Sequence, residues 1–311
     1  MNWEALFSPS VLEASLRIAT PLLLAALGGA FTHHAGIFNI ALEGMMLIGA
    51  FTAVVVSYYT SNWLIAIAAT ILVGLLIGLL YGVFTIHLKA DFIVTGIAIN
   101  VLALGLTTYL LRALFHVKAG LQSPLIAPLP DVNLPFLNSL GVISEILNNQ
   151  SLFTYVSWVL VVILWFIFYR TPFGLHLRAA GEHPDSLETA GISVIRTRYI
   201  AALCCGILCA LAGAHLSLGY LNMYVINITS GRGFISMATV LFGGGNPVII
   251  LLVSLLFGFA ESMSIRFQGI GVPGYFALMI PYTVTILALV IWSIRKNRRS
   301  QLVDTVPASQ T

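Results

Sequence analysis

The chain is a succession of apolar runs, each about the 20 residues a helix needs to cross the hydrocarbon core of a bilayer. Approximate limits are 12–31, 36–58, 63–86, 91–112, 151–169, 198–221, 225–243, 247–265 and 275–294. About nine such runs predict an all-α, polytopic membrane protein, because helices satisfy their own backbone in lipid. Of 311 residues, 59% are hydrophobic and 8% charged, where a soluble domain carries about a quarter. No polar stretch exceeds roughly 40 residues, too short to build a core of its own. The expectation is therefore one membrane domain over 1–311. The N-terminus has no basic region before its apolar run, so it reads as a retained first span and not as a signal peptide.

Some of the spans are expected to be broken or re-entrant. Segment 225–243 contains Asn227, Thr229, Ser230, Gly231, Arg232 and Gly233. Irregular backbone at that depth needs cover from protein or a watered cavity. Lys and Arg set the orientation. Arg170, Arg178, Arg196 and Arg198 lie in the loop after the fifth span, and Arg295, Lys296, Arg298 and Arg299 lie in the tail. Both stretches are expected in the cytoplasm, with 113–150 and its four prolines outside. The chain divides into a first half of about 1–112, an external loop of about 113–150, a second half of about 151–294 and a cytoplasmic tail, 295–311. LLYG at 79–82 and LLFG at 255–258 hint that the halves are loosely related, a common transporter plan.

The polar residues inside the spans are few. On a continuous helix Gly36, Asn39 and Glu43 would share a face, as would Gly96, Asn100 and Thr107, or Ser254, Gly258 and Glu261. An ionisable group at this depth should face the bundle interior or water. Asn39, Glu43, Asn100 and Thr107 are thus candidates for lining a polar passage. The residues leave two other readings open for Glu43, a buried bond that pins a broken helix and an ion-coupling site. A wall that works by hydrogen bonds would tolerate Glu43→Gln. Two stripes of small residues, Gly74-Gly78-Gly82 and Ala202-Gly206-Ala210-Ala214, have the spacing of close helix contacts.

No catalytic cluster, metal-ligand spacing or Walker loop is present, and none of the three lysines precedes Ser or Thr. The bases sit at segment ends, which argues against nucleic-acid binding. Cys204, Cys205 and Cys209 lie within one apolar run and read as small hydrophobes. In the loop 171–198, Asp185 and Glu188 have the spacing of a capping box, and Gly191 suits a helix end with positive φ. A short helix over about 185–190, at the membrane surface, would make a docking knob.

Three motifs carry a family likeness. AGIFNIALEGMMLIGAF (35–51), FGLHLRAAGEHPDSLETAGI (173–192) and GRGFISMATVLFGGGNPVIILLVSLLFG (231–258) resemble segments of permease subunits of ABC importers in the sugar, nucleoside and branched-chain amino-acid group. The Asn-Ile-x-x-Glu-Gly pattern is most similar to the nucleoside-type permeases. His33-His34 stands where the family often has an acidic–basic pair. The resemblance implies a multi-pass inner-membrane subunit that carries a small polar solute and is no enzyme. ATP would be hydrolysed by separate ATPase subunits, and the chain itself would hold no cofactor and no metal. It implies a second permease chain, different or identical, and an extracytoplasmic substrate-binding protein. Gly181, Glu182, Asp185, Glu188 and Gly191 would form the loop that couples to the ATPase. A sugar or branched-chain amino-acid permease, or an ion-coupled secondary transporter, are the alternatives.

Overall fold

The structure, a computed structural model, describes residues 9–133 and 146–269, with Met279 and Thr283 besides. Among these residues seven helices are long and apolar enough to cross a membrane. They are α1 (Pro9–His34), α2 (Leu42–Thr60), α3 (Trp63–Gly82), α4 (Phe92–Phe115), α5 (Leu152–Arg170), α8 (Val194–Ala214) and α10 (Pro247–Gly269). Two of them are prolonged by π-helical turns, α3 by Val83–His87 and α8 by His215–Tyr220. Shorter helices lie between, namely α6 (Pro172–Glu182), α7 (Pro184–Thr189) and α9 (Arg232–Gly243).

Seven of the expected spans therefore appear as helices long and apolar enough to cross. The expected segment 225–243 does not. Its first residues form a two-residue strand, β4 (Tyr224–Val225), paired with β1 (Gly120–Leu121). A second small ladder joins β2 (Asp131–Val132) to β3 (Gln150–Ser151). An irregular turn follows β4, and only then does the 12-residue α9 begin. At about 1.5 Å per residue such a helix is too short to span. Apart from Met279 and Thr283, the expected span 275–294 lies outside the described residues, as do the tail 295–311 and 134–145 of the loop.

Burial sorts the helices. α1, α2 and α8 form the centre, where Leu22, Leu27, Met46 and Ala202 are wholly enclosed. α3, α4 and α5 turn Leu72, Leu76, Val101 and Val162 outward, an apolar surface that suits lipid. The two small-residue stripes pack on each other. A Cβ on Gly78 would stand 2.6 Å from the Ala202 carbonyl oxygen, and one on Gly74 would stand 2.7 Å from that of Gly206. Gly82 meets the ring of Tyr199, with a Cβ there 3.0 Å away. Backbones that touch this closely gain dispersion contacts that lipid cannot match.

One end of the bundle gathers the C-termini of α1 and α5, the helices α6 and α7, and the starts of α4 and α8. It carries Arg170, Arg178, Arg196 and Arg198. The opposite end carries both strand ladders.

Candidate functional site: a clamp between two broken helices

α1 stops at Gly36, whose φ of 73° is left-handed. The Gly36 N–H donates to the His33 carbonyl (3.1 Å) and the Ile37 N–H to that of Thr32 (2.8 Å), the paired bonds of a Schellman stop. Residues 37–40 are not helical, and α2 starts at Leu42. The shared face expected for Gly36, Asn39 and Glu43 therefore does not form, because Gly36 and Asn39 lie outside the helix. Asn39 instead accepts the Ala41 N–H at 2.8 Å, the local turn that competes with helix, and donates to the Cys205 sulfur at 3.3 Å.

α4 seals the other side of this break. The Asn100 amide donates to the Ile40 carbonyl (3.0 Å) and accepts the Gly44 N–H (2.8 Å). It thus supplies both partners that a continuous helix would have provided. Gly96, one turn earlier, allows the approach, since a Cβ there would lie 3.0 Å from the Ile40 Cβ. From α3, the Tyr81 hydroxyl donates to the Phe38 carbonyl at 3.2 Å. Thr107 is buried, and its hydroxyl donates to Ala103 within its own helix at 2.8 Å.

Glu43 joins this break to the second one. It is 7% exposed. Its Oε1 accepts the Thr229 hydroxyl at 2.5 Å and the Gly231 N–H at 2.8 Å. Its Oε2 accepts the Gly233 N–H at 2.6 Å. Gly231 is the N-cap of α9 and has φ 87°, so a carboxylate from another helix caps α9. It also stands where the dipoles of α9 and of its own helix both favour negative charge. Gly233 has to be glycine at this contact, because a Cβ would overlap the Glu43 backbone.

Arg232 does the converse for the carbonyls of the same turn. Its Nη1 donates to Ile228 (3.2 Å) and Thr229 (3.4 Å), and its Nη2 pairs with Glu261 of α10. Both partners of that ion pair are mostly enclosed. The turn before α9 is thus held by an acid on its N–H groups and a base on its C=O groups. On α10, Gly258 packs on Ser15 and Ala19 of α1.

At the arginine end, α7 is capped differently from the expectation. Its N-cap is His183, with Pro184 in the first turn and no side-chain capping bond. Asp185 therefore lies inside the helix, since Pro184 already fixes a helical φ. The other end is a full Schellman stop. Gly191 has φ 79°, its N–H reaches Glu188 at 2.9 Å, and the Ile192 N–H reaches Leu187 at 3.1 Å. Glu182, Asp185 and Glu188 are exposed, and Leu187 packs inward on Ala180 and Val194.

These features join two helix breaks into one polar clamp inside the bundle. Among the described residues no group of three metal-ligating side chains exists. The model of the family described as "Branched-chain amino acid transport system / permease component" matches residues 11–289. The chain belongs to that family of permease components. The permease is 36% identical over 293 residues to the guanosine ABC transporter permease protein NupQ of Bacillus subtilis, covering 90% of each chain. It is 35% identical over 286 residues to the nucleoside ABC transporter permease protein NupC of Lactococcus lactis, covering 88% of this chain and 89% of that one. A putative glucose ABC transporter permease protein, TsgC13 of Haloferax volcanii, is 32% identical over 268 residues, or 85% of this chain and 79% of its own. No solved structure matches. The permease is a multi-pass membrane transport subunit of an ABC importer and not an enzyme.

Sequence reasoning flagged Thr229, Gly231, Arg232 and Gly233 only as a break and did not pair them with Glu43. The signal was present, since Arg232 stands between Gly231 and Gly233 in a run that is apolar on either side of 227–233. Pairing them with residue 43 needs the tertiary fold.

Proposed function

We propose that this permease passes a nucleoside inward, driven by ATP hydrolysis on partner subunits. The observation that carries this reading is the similarity to NupQ and NupC along nearly the full length of both chains. The site chemistry agrees with it. A helix N-terminus is a natural seat for a carboxylate or phosphate, but that of α9 is already filled by Glu43. The clamp therefore suits an uncharged solute, a nucleoside or a sugar, better than an amino acid. The sugar reading is the runner-up, favoured by the similarity to TsgC13. The test is uptake of labelled nucleoside by cells that depend on this permease, with nucleosides, pentoses, hexoses and branched-chain amino acids as competitors. Competition by the sugars alone overturns the nucleoside reading.

In this reading the chain works with a second permease chain, two ATPase domains and an extracytoplasmic binding protein. It has about nine membrane segments, some broken or re-entrant, in two loosely related halves, an external loop at 113–150, and a C-terminus that, like the arginine-rich loop, is cytoplasmic. Asn39, Glu43 and Asn100 shape the passage by holding its backbone, with Thr107 further along α4. The loop from Gly181 through Glu182, Asp185 and Glu188 to Gly191 docks the ATPase.

Gly191→Val tests the docking loop. A β-branched residue held at positive φ costs on the order of 1–2 kcal/mol, and a Cβ there meets nothing within 4 Å, so the effect is conformational. ATPase co-purification should fall while membrane insertion persists, and Gly191→Asn, which tolerates this φ, should retain most of it. Native coupling in the valine variant counts against the assignment.

A further inference from the structure

Arg198 does more than mark orientation. Its guanidinium, half-buried at the start of α8, spans two helix ends. Nε donates to the Ala35 carbonyl at 3.2 Å and Nη2 to the Ala180 carbonyl at 3.2 Å. Ala35 is the last residue before the Gly36 stop of α1, and Ala180 lies in the last turn of α6. The terminal carbonyls of a helix lack intrahelical donors and carry partial negative charge. One planar cation therefore fastens two C-termini, a geometry that the ammonium of lysine cannot reproduce.

The same two helix ends touch directly. A Cβ on Gly36 would stand 2.9 Å from the Gly181 Cα, and one on Gly181 would stand 2.9 Å from the Gly36 nitrogen. No side chain cushions this contact. On one side of it Ala180 packs on Leu187 of α7 and Val194 of α8. On the other side the chain runs through the non-helical residues 37–40, held by Tyr81 and Asn100, into Glu43 and the start of α9. A rigid contact at Gly36 and Gly181 would hand any displacement of α7 to the segment that carries the clamp.

We propose that Arg198, by locking Ala180–Gly181 onto Ala35–Gly36, is the positioning residue that transmits movement of the α6–α7 loop to the 37–43 segment and thence to the turn before α9. This rests on the reading that α7 docks the ATPase. Backbone packed on backbone leaves little give between the two helix ends.

The experiment uses the complete importer in lipid nanodiscs, with spin labels at Ser186→Cys on α7 or Ser230→Cys in the turn, both on exposed positions. With Arg198 intact, ATP should change the spectra of both labels. In Arg198→Gln the α7 label should still respond, the label at 230 should lose its response, and uptake should drop about tenfold, within the span of coupling-network substitutions. Arg198→Lys, which keeps the charge without the planar fork, should show the same split and serves if the glutamine variant does not accumulate. A native response at position 230 in both variants overturns the proposal. A silent α7 label with Arg198 intact overturns instead the docking reading beneath it.

Discussion

Glu43→Ala should abolish ATP-driven uptake while leaving the permease in the membrane. The substitution strips the Thr229 hydroxyl and the Gly231 and Gly233 N–H groups of their acceptor at once. Each buried group left unpaired costs about 1–3 kcal/mol, so the start of α9 loses several kcal/mol of local stability. The other helices do not depend on these three bonds, so the damage is confined to the turn and α9. Glu43→Gln should be damaged too, more than a simple hydrogen-bonding wall predicts. The amide oxygen can keep Thr229 and Gly231, but the amide nitrogen then faces the Gly233 N–H, donor against donor. The expected order of initial uptake rates, at matched membrane abundance, is wild type, then glutamine, then alanine. ATP and the proton gradient should be varied separately. A native rate in the alanine variant removes the clamp from the mechanism. Equal loss in both variants, with uptake following the proton gradient, favours an ion-coupled transporter.

Gly78→Leu should prevent accumulation of the permease. A Cβ alone would sit 2.6 Å from the Ala202 carbonyl and 3.1 Å from the Leu203 Cα, and both obstacles are backbone, which cannot rotate away. The remaining leucine atoms would have to separate α3 from α8, which is central in the bundle. The lost contacts extend to Gly74 against Gly206. Overpacking of ordinary cores costs about 1–3 kcal/mol, and two apposed helix backbones have less room to adjust. Membrane abundance and thermal aggregation after detergent extraction measure this. Solute preference, assayed by competition on whatever fraction survives, should be unchanged. Normal abundance with native uptake would mean that this contact tolerates separation.

The two breaks differ in how far they could be read. The first was hidden by its own composition. AGIFNIALEG is apolar enough to pass for the start of a helix, and the 36–58 run leaves a continuous and a broken helix both open. Gly36 can stop a helix, but glycine also occurs inside membrane helices, so local sequence did not decide between the two. The second was visible, because Arg232 beside Gly231 and Gly233 is costly in an apolar run and breaks its periodicity. The two small-residue stripes were legible one by one, and their apposition was not. Spacing along a helix defines a face but not the neighbour that the face meets.

What the sequence by itself determined is the membrane class, most of the crossing helices, the transport family through its motifs, and the glycine stop of α7 at Gly191. These follow from hydrophobic length and local backbone preference, which act over a few turns of chain. Only the tertiary structure decided that Glu43 caps α9, that Asn100 bridges the gap in front of α2, that Arg232 pairs with Glu261, and that Arg198 ties α1 to α6. These contacts join residues from 18 to 190 positions apart. The demand behind them is local, a backbone polar group or, for Arg232 and Glu261, a charge left unpaired in a medium without water. The side chain that meets it is fixed by which helices pack side by side, and the pattern of any one segment does not contain that choice.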